Sequence, residues 1–207
     1  MNAEKLKDAE KAFLAQYPQG FNSPEMIEIG KKHKMDKLVA FAHENFTPQA
    51  LENVKETAEN MIRLVSRSSM VSVFEKPKFR DAVRAMTLDE KGYLTDSLND
   101  LLHGDEAKGF HQMLDILTKY SLAKWTLITV FRCYYYPETD LLFKPTTVKN
   151  AVKIFELDGL IYKPRPSYDF FVEYRNAIAQ MKAQVDPSLS PSNAAFSGFL
   201  MMAMEMQ

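Results

Sequence analysis

Thr146-Thr147-Val148-Lys149-Asn150-Ala151-Val152-Lys153 sets threonine, lysine and asparagine along the polar side of a helical spacing, and Lys163-Pro164-Arg165 follows after the short apolar run Leu160-Ile161-Tyr162. These side chains donate to phosphate oxygens and base edges, so the chemistry they could do is nucleic-acid contact. Thr147, Lys149, Asn150 and Lys153 would make the helix contacts, Lys163 and Arg165 the contacts beyond it, with Lys144 just ahead. A second basic stretch carries Arg63, Arg67, Lys76, Lys78, Arg80 and Arg84 against Glu75 and Asp81, with Ser66, Ser68, Ser69 and Ser72 interleaved. Guanidinium groups beside hydroxyls suit a phosphate-bearing ligand, because the planar fork binds oxyanions bidentately. The residues from 86 to 120 reverse the sign, with Asp89, Glu90, Asp96, Asp100, Asp105, Glu106 and Asp115 facing three lysines. Basic and acidic neighbours of this kind pair within a fold, which weakens the nucleic-acid reading.

Over about twenty residues, 146–165 resembles the recognition helix and wing of a winged-helix DNA-binding domain. That resemblance implies a helix entering the major groove and a basic turn meeting phosphates. The pattern departs from the family ahead of the helix, where only Glu138 to Phe143 precede Lys144-Pro145, too few for the usual preceding helix. The plainer alternative is a core helix with a solvated basic face, ended by Gly159 and followed by an extended connector.

A third concentration is aromatic. Trp125, Tyr134-Tyr135-Tyr136 and Phe143 lie among Lys124, Arg132 and Lys144. Such rings could stack bases of a single strand, or wall a small-molecule pocket completed by Arg165 and Tyr168, or simply pack. The stretch from Arg132 to Pro145 reads as the longest irregular connection, the place where a small site belongs.

Redox, metal and hydrolytic chemistry find less support. His103 and His111 flank a tight helix hairpin near Asp100, Glu106 and Asp115, but there is no HExxH or CxxC pattern and a metal needs three or four converging ligands. No G-x-S-x-G elbow is present, and His43-Glu44 has no marked partner. Cys133, the one cysteine, sits among Phe131, Arg132, Tyr134 and Tyr135 and reads as a packing residue rather than an activated thiolate. No catalytic residue, metal ligand or cofactor is assigned.

The elements that position these groups are marked by proline and by helix caps. All ten prolines fall where a helix can start or stop, and none lies between Lys78 and Tyr136. Ser23-Pro24, Thr47-Pro48, Ser167-Tyr168-Asp169 and Ser190-Pro191 read as helix starts, and Thr87 with Glu90 as a capping box. His103-Gly104-Asp105 reads as a stop followed at once by a start. Between them apolar residues recur at helical spacing, as in Leu51, Val54, Ala58, Met61, Ile62 and Val65. Seven glycines in 207 residues are too few for an all-β fold rich in tight turns.

The expected architecture is a mostly α, single-domain bundle of about ten helices over 1–207. Helices are predicted at 3–17, 24–33, 35–45, 48–66, 77–86, 88–103, 105–119, 122–133, 147–157, 167–185 and 191–205. Residues 1–20 read as a peripheral amphipathic helix and 187–207 as an apolar C-terminal helix. The β-prone run from Trp125 to Tyr136 is open between a buried helix and the first arm of a hairpin returning through Leu141-Leu142-Phe143, with a second extended segment near 160–165.

Lys plus Arg is 26 against 27 for Asp plus Glu, giving a formal charge of −1, so bulk electrostatics selects no polyionic partner. One cysteine and twelve methionines, an N-terminus with no apolar signal core, and apolar runs far short of the ~20 residues a membrane helix needs point to a cytoplasmic protein that does not span a membrane. The leading functional expectation is a non-enzymatic protein-interaction module whose partner is another protein or, as a homodimer through the C-terminal helix, a second copy. Nucleic-acid binding through 144–165 with help from Arg63 to Arg84 is the alternative. An enzyme or small-molecule binder with a pocket around 125–168 is the third.

Overall fold

The computed structural model describes residues 1–205; Met206 and Gln207, the end of the expected apolar C-terminal helix, lie outside the described residues. Twelve α-helices and two short 3-10 turns make up the fold, with no strand among the described residues. In chain order α1 is Ala3–Gln16, α2 Pro24–His33, α3 Met35–Asn45, α4 Pro48–Leu51, α5 Val54–Arg67 and α6 Glu75–Ala85. Then come α7 Leu88–His103, α8 Glu106–Lys119, α9 Trp125–Tyr135, α10 Pro145–Ile154, α11 Tyr168–Lys182 and α12 Asn193–Glu205. The mostly α bundle that the sequence predicts is the fold.

The caps explain most boundaries. Thr87 Oγ1 accepts from the Glu90 backbone N–H at 3.2 Å while Glu90 Oε2 accepts from the Thr87 N–H at 3.1 Å, which closes the capping box at the head of α7. Asp105 Oδ1 accepts from the Lys108 N–H at 3.0 Å, so α8 starts at Glu106, two residues after the Gly104 stop. Pro24, Pro48 and Pro145 each occupy the first helical turn, where a missing N–H costs nothing. One predicted helix divides: 48–66 becomes α4 and α5 because Asn53 caps a new start, its Oδ1 accepting from the Glu56 N–H at 3.2 Å. The α10 helix starts at Pro145 and ends at Ile154, earlier at both ends than predicted, because proline opens it and Glu156 takes a left-handed φ of 50°.

The run from Trp125 to Tyr135 is helix throughout, and no hairpin forms there or near 160–165. Its β-branched residues are tolerated because α9 is mostly apolar and is enclosed by α3, α5, α7 and α8. Only Arg132 and Tyr135 escape full burial along this helix. Each fully buried large side chain contributes roughly 1.5–3 kcal/mol, so tertiary enclosure outweighs the strand preference of single residues. The helix also ends two residues later than predicted, which shortens the tyrosine-bearing connector to 136–144 and makes 155–167 the longer non-helical stretch.

The α7–α8 hairpin is the most extensive helix pair in the molecule. Its backbones approach closely at Gly109, where a Cβ would lie 2.7 Å from Leu101 Cα and from Ser97 O. A second layer joins the two ends of the chain. The α12 helix packs on α1 and α10, burying Phe196, Phe199, Leu200 and Ala203. The Asn2 N–H reaches Phe155 O at 2.8 Å, and Lys5 pairs with Glu156 at 2.6 Å. One continuous core cluster runs from Leu6 to Ala203. No helix among the described residues is long and apolar enough to cross a membrane.

Candidate functional site

Three of the expected pocket residues, Arg132, Tyr136 and Tyr168, meet at one place, and the centre of that place is a carboxylate that sequence reasoning passed over. Asp140 is 1% exposed. Its Oδ1 accepts from Arg132 Nε at 2.8 Å and from Arg175 Nη1 at 3.0 Å, and its Oδ2 accepts from Arg132 Nη2 at 3.0 Å and Thr139 Oγ1 at 3.1 Å. Glu106 completes the cluster. It meets Arg132 Nη2 and Arg175 Nη1 at 2.8 Å each, and accepts from the Tyr168 hydroxyl at 2.9 Å. Two guanidinium groups and two carboxylates thus balance in charge.

The helices that carry these groups explain the convergence. Arg132 lies on the one side of α9 that meets the α7–α8 turn, and its Nη1 donates to Leu101 O. Its guanidinium covers the Tyr136 ring at 5.0 Å, while the Tyr136 hydroxyl donates to Leu102 O at 2.5 Å. Arg175 sits four residues after Phe171 on α11 and lies over that ring at 4.7 Å. The cluster therefore ties α7, α8, α9, α11 and the 136–144 connector together. Burial pushes the Glu106 carboxyl up, but the Arg175 hydrogen bond and the two arginine charges outweigh it and hold Glu106 below the ordinary carboxylate value. Burial pulls the Arg175 guanidinium down, yet its Glu106 and Asp140 partners leave it raised above its ordinary value.

The remaining aromatic candidates pack separately. Trp125 is buried against Phe143 with centroids 5.1 Å apart, and its Nε1 donates to Lys163 O at 2.8 Å. The buried Tyr134 hydroxyl meets Ser68 Oγ at 2.8 Å. Tyr135 lies between the His43 and His103 rings at 4.9 and 5.1 Å. The described depressions lie elsewhere, one bordered by Lys5, Asp8, Lys153 and Ile154 and one by Gln49, Glu52, Asn53, Val54, Lys55 and Leu88.

The basic candidates divide between two regions. Arg63 is exposed and donates to Asn60 Oδ1 at 2.8 Å, and Arg67 covers the Phe41 ring on α3 at 5.4 Å. Lys144 is half-buried at the head of α10. Burial first and the Lys144 charge second depress the pKa of His33, whose Nδ1 meets Ser69 Oγ at 2.8 Å. Thr147 is half-buried, and Lys149 and Lys153 are exposed one turn apart on α10. Lys153 lies toward α1, beside Lys5 and Asp8. Lys163 and Arg165 are exposed on 155–167, which Trp125 anchors through the Lys163 carbonyl.

The histidines and the thiol hold structural partners. His103 Nε2 meets Phe46 O at 2.8 Å, His43 Nε2 meets Tyr135 O at 2.6 Å, and His111 Nδ1 meets Ala107 O at 2.6 Å. No group of three or more His, Cys, Asp or Glu among the described residues is placed to hold a metal ion. Burial pushes the Cys133 thiol up to about 12, so it stays protonated at neutral pH.

No protein-family model, curated protein or solved structure matches this chain. Function therefore rests on the chemistry of its surface and its sites.

The surface carries one feature that the sequence reading did not single out. The turn between α5 and α6 presents Val73 and Phe74, 70% and 77% exposed, directly ahead of Lys76 and Lys78. Of the neighbouring apolar residues Met70, Val71, Val73 and Phe74, Val71 alone is fully buried.

Proposed function

We propose that this chain is a non-enzymatic protein-interaction module and that its docking element is the Val73–Phe74 turn. The observation that carries the reading is the exposure of Phe74, a large aromatic on a convex turn with lysines beside it. Aromatic side chains that fill a partner's pocket dominate binding energy in protein interfaces. The Arg132–Asp140–Arg175–Glu106 cluster is read as a structural tie, because its charged groups are paired with each other rather than turned to an open cleft.

A photoreactive phenylalanine analogue at position 74, introduced in living cells, tests the reading. The expected result is a discrete adduct that a Lys76→Glu/Lys78→Glu chain does not form, with none from the same analogue at the exposed Ile161. No discrete adduct at 74 would overturn it.

Nucleic-acid binding is the second reading, favoured by the exposure of Lys149, Lys153, Lys163 and Arg165 along α10 and the segment after it. It requires binding at low salt that falls steeply as salt rises and that Lys149→Glu/Lys153→Glu removes.

A further inference from the structure

The Val73–Phe74 turn has a complementary surface on its own molecule. The shallow surface depression lined by Gln49, Glu52, Asn53, Val54, Lys55 and Leu88 carries two apolar side chains, Val54 and the 59% exposed Leu88. Glu52, Glu56 and Asp89 are exposed around it and outnumber Lys55, so its rim is acidic on balance. The turn is a basic-flanked apolar knob: Lys76 and Lys78 follow it, neither joined to an acid by an ion pair among the described residues. The carboxylate between knob and lysines, Glu75, is occupied by the Thr126 hydroxyl at 2.8 Å.

Knob and depression lie at opposite ends of one helix pair. Val54 opens α5, Phe74 precedes α6, α6 packs back along α5, and Leu88 follows at the start of α7. A helix of the length of α5 spans roughly 20 Å, so a chain cannot seat its knob in its own depression. The opposite charges can therefore meet only between molecules.

We infer that the partner is a second copy of this chain: the Val73–Phe74 knob of one copy seats on the Val54–Leu88 depression of the next, with Lys76 and Lys78 facing Glu52 and Asp89. The inference rests on the interaction reading and names the partner of that same turn. Such a contact is either reciprocal, closing a two-fold dimer with both knobs seated, or heterologous, leaving one free knob and one free depression so that it closes into a ring or extends. It is small, so association is weak and appears at high concentration. Added salt weakens it by screening the exposed charges.

Sedimentation velocity of the purified full chain, from low micromolar to near millimolar concentration, tests the contact together with two variants, Phe74→Glu and Leu88→Lys. Both positions are exposed, and matching circular dichroism and melting curves establish that each variant folds. The wild type is expected to sediment faster as concentration rises, and each variant alone to remain monomeric. An equimolar mixture of the variants is expected to form a species that stops at two copies, because Leu88→Lys keeps a working knob and Phe74→Glu a working depression. A wild type that is monomeric throughout overturns the inference, as does self-association unaffected by Leu88→Lys. A monomeric wild type whose position-74 adduct contains a different protein removes the second copy and leaves the interaction reading standing.

Discussion

The guanidinium of Arg132 grips the buried carboxylate of Asp140 side-on, with Nε on Oδ1 at 2.8 Å and Nη2 on Oδ2 at 3.0 Å. Eight residues separate the two in sequence, and a helix end and a turn lie between them. Arg175 and Glu106 then extend the pair to four charges that join α8, α9, α11 and the 136–144 connector. Breaking such a pair by removing one partner leaves the other charge buried and uncompensated.

Asp140→Ala is accordingly expected to destabilise the chain by about 3–5 kcal/mol, because it leaves Arg132 and Arg175 facing each other with only Glu106 between them. Urea unfolding at neutral pH measures this. A loss below about 1 kcal/mol would mean that the cluster is no stronger than a surface pair.

The same cluster sets an acid limit. Glu106 is held below its ordinary value of 4.5 in the folded chain, so on acidification the unfolded chain takes up its proton first. The stability that Glu106 contributes is fully present above that ordinary value and is lost as pH falls through the lower folded value. Glu106→Gln should be less stable than the wild type at neutral pH and should show a shallower loss of stability as pH falls below about 5. Parallel acid slopes for the two chains would contradict this.

Two glycines should respond with opposite sign. At Gly109 a Cβ meets the Leu101 backbone, which cannot move away without separating α7 from α8, so Gly109→Ala is expected to destabilise by about 1–3 kcal/mol. At Gly92, inside α7, nothing lies within 4 Å of the added carbon. Gly92→Ala should stabilise by about 0.5–1 kcal/mol, through helix propensity. Thermal melts of the two variants beside the wild type give the comparison.

Cys133 should behave as a folding reporter. It is buried, and burial drives its thiol up to about 12. In the native chain at pH 8 a thiol-specific reagent is expected to label it only as fast as the chain opens, and in urea at once. Rapid labelling of native protein would mean that α9 is not enclosed.

How legible was this in the sequence? Local punctuation was: Pro24 and Pro48 open helices, Thr87 and Glu90 form their box, and Gly104-Asp105 turns α7 into α8. The break at Asn53 was hidden because the apolar stripe continues across it from Leu51 to Val54 and Ala58, and only the cap bond to Glu56 decides it. Trp125 to Tyr136 read either way because its residues prefer strand, whereas enclosure by four helices is a property of the whole fold. Arg132 was named as a candidate, but its partners were not, since Arg175 lies 35 residues from Asp140 and 69 from Glu106. Two signals pointed that way: a lone aspartate opening the apolar run Leu141-Leu142-Phe143, and an arginine beside the buried stripe of Phe171, Tyr174 and Ile178. Phe74 could not be told from a core residue by spacing alone.

The environment of the Phe74 ring reports the proposed function most directly. A 4-fluorophenylalanine at position 74 gives a ¹⁹F signal that can be followed in dilute purified chain and in lysate of cells that express it, with a second label at the buried Phe143 as reference. The expected result is a solvent-like shift at 74 in the dilute chain and a moved, broadened signal in lysate that Lys76→Glu/Lys78→Glu restores to the solvent-like position, while the Phe143 shift stays constant. An unmoved position-74 signal in lysate, or a buried shift already present in the dilute monomer, would contradict it.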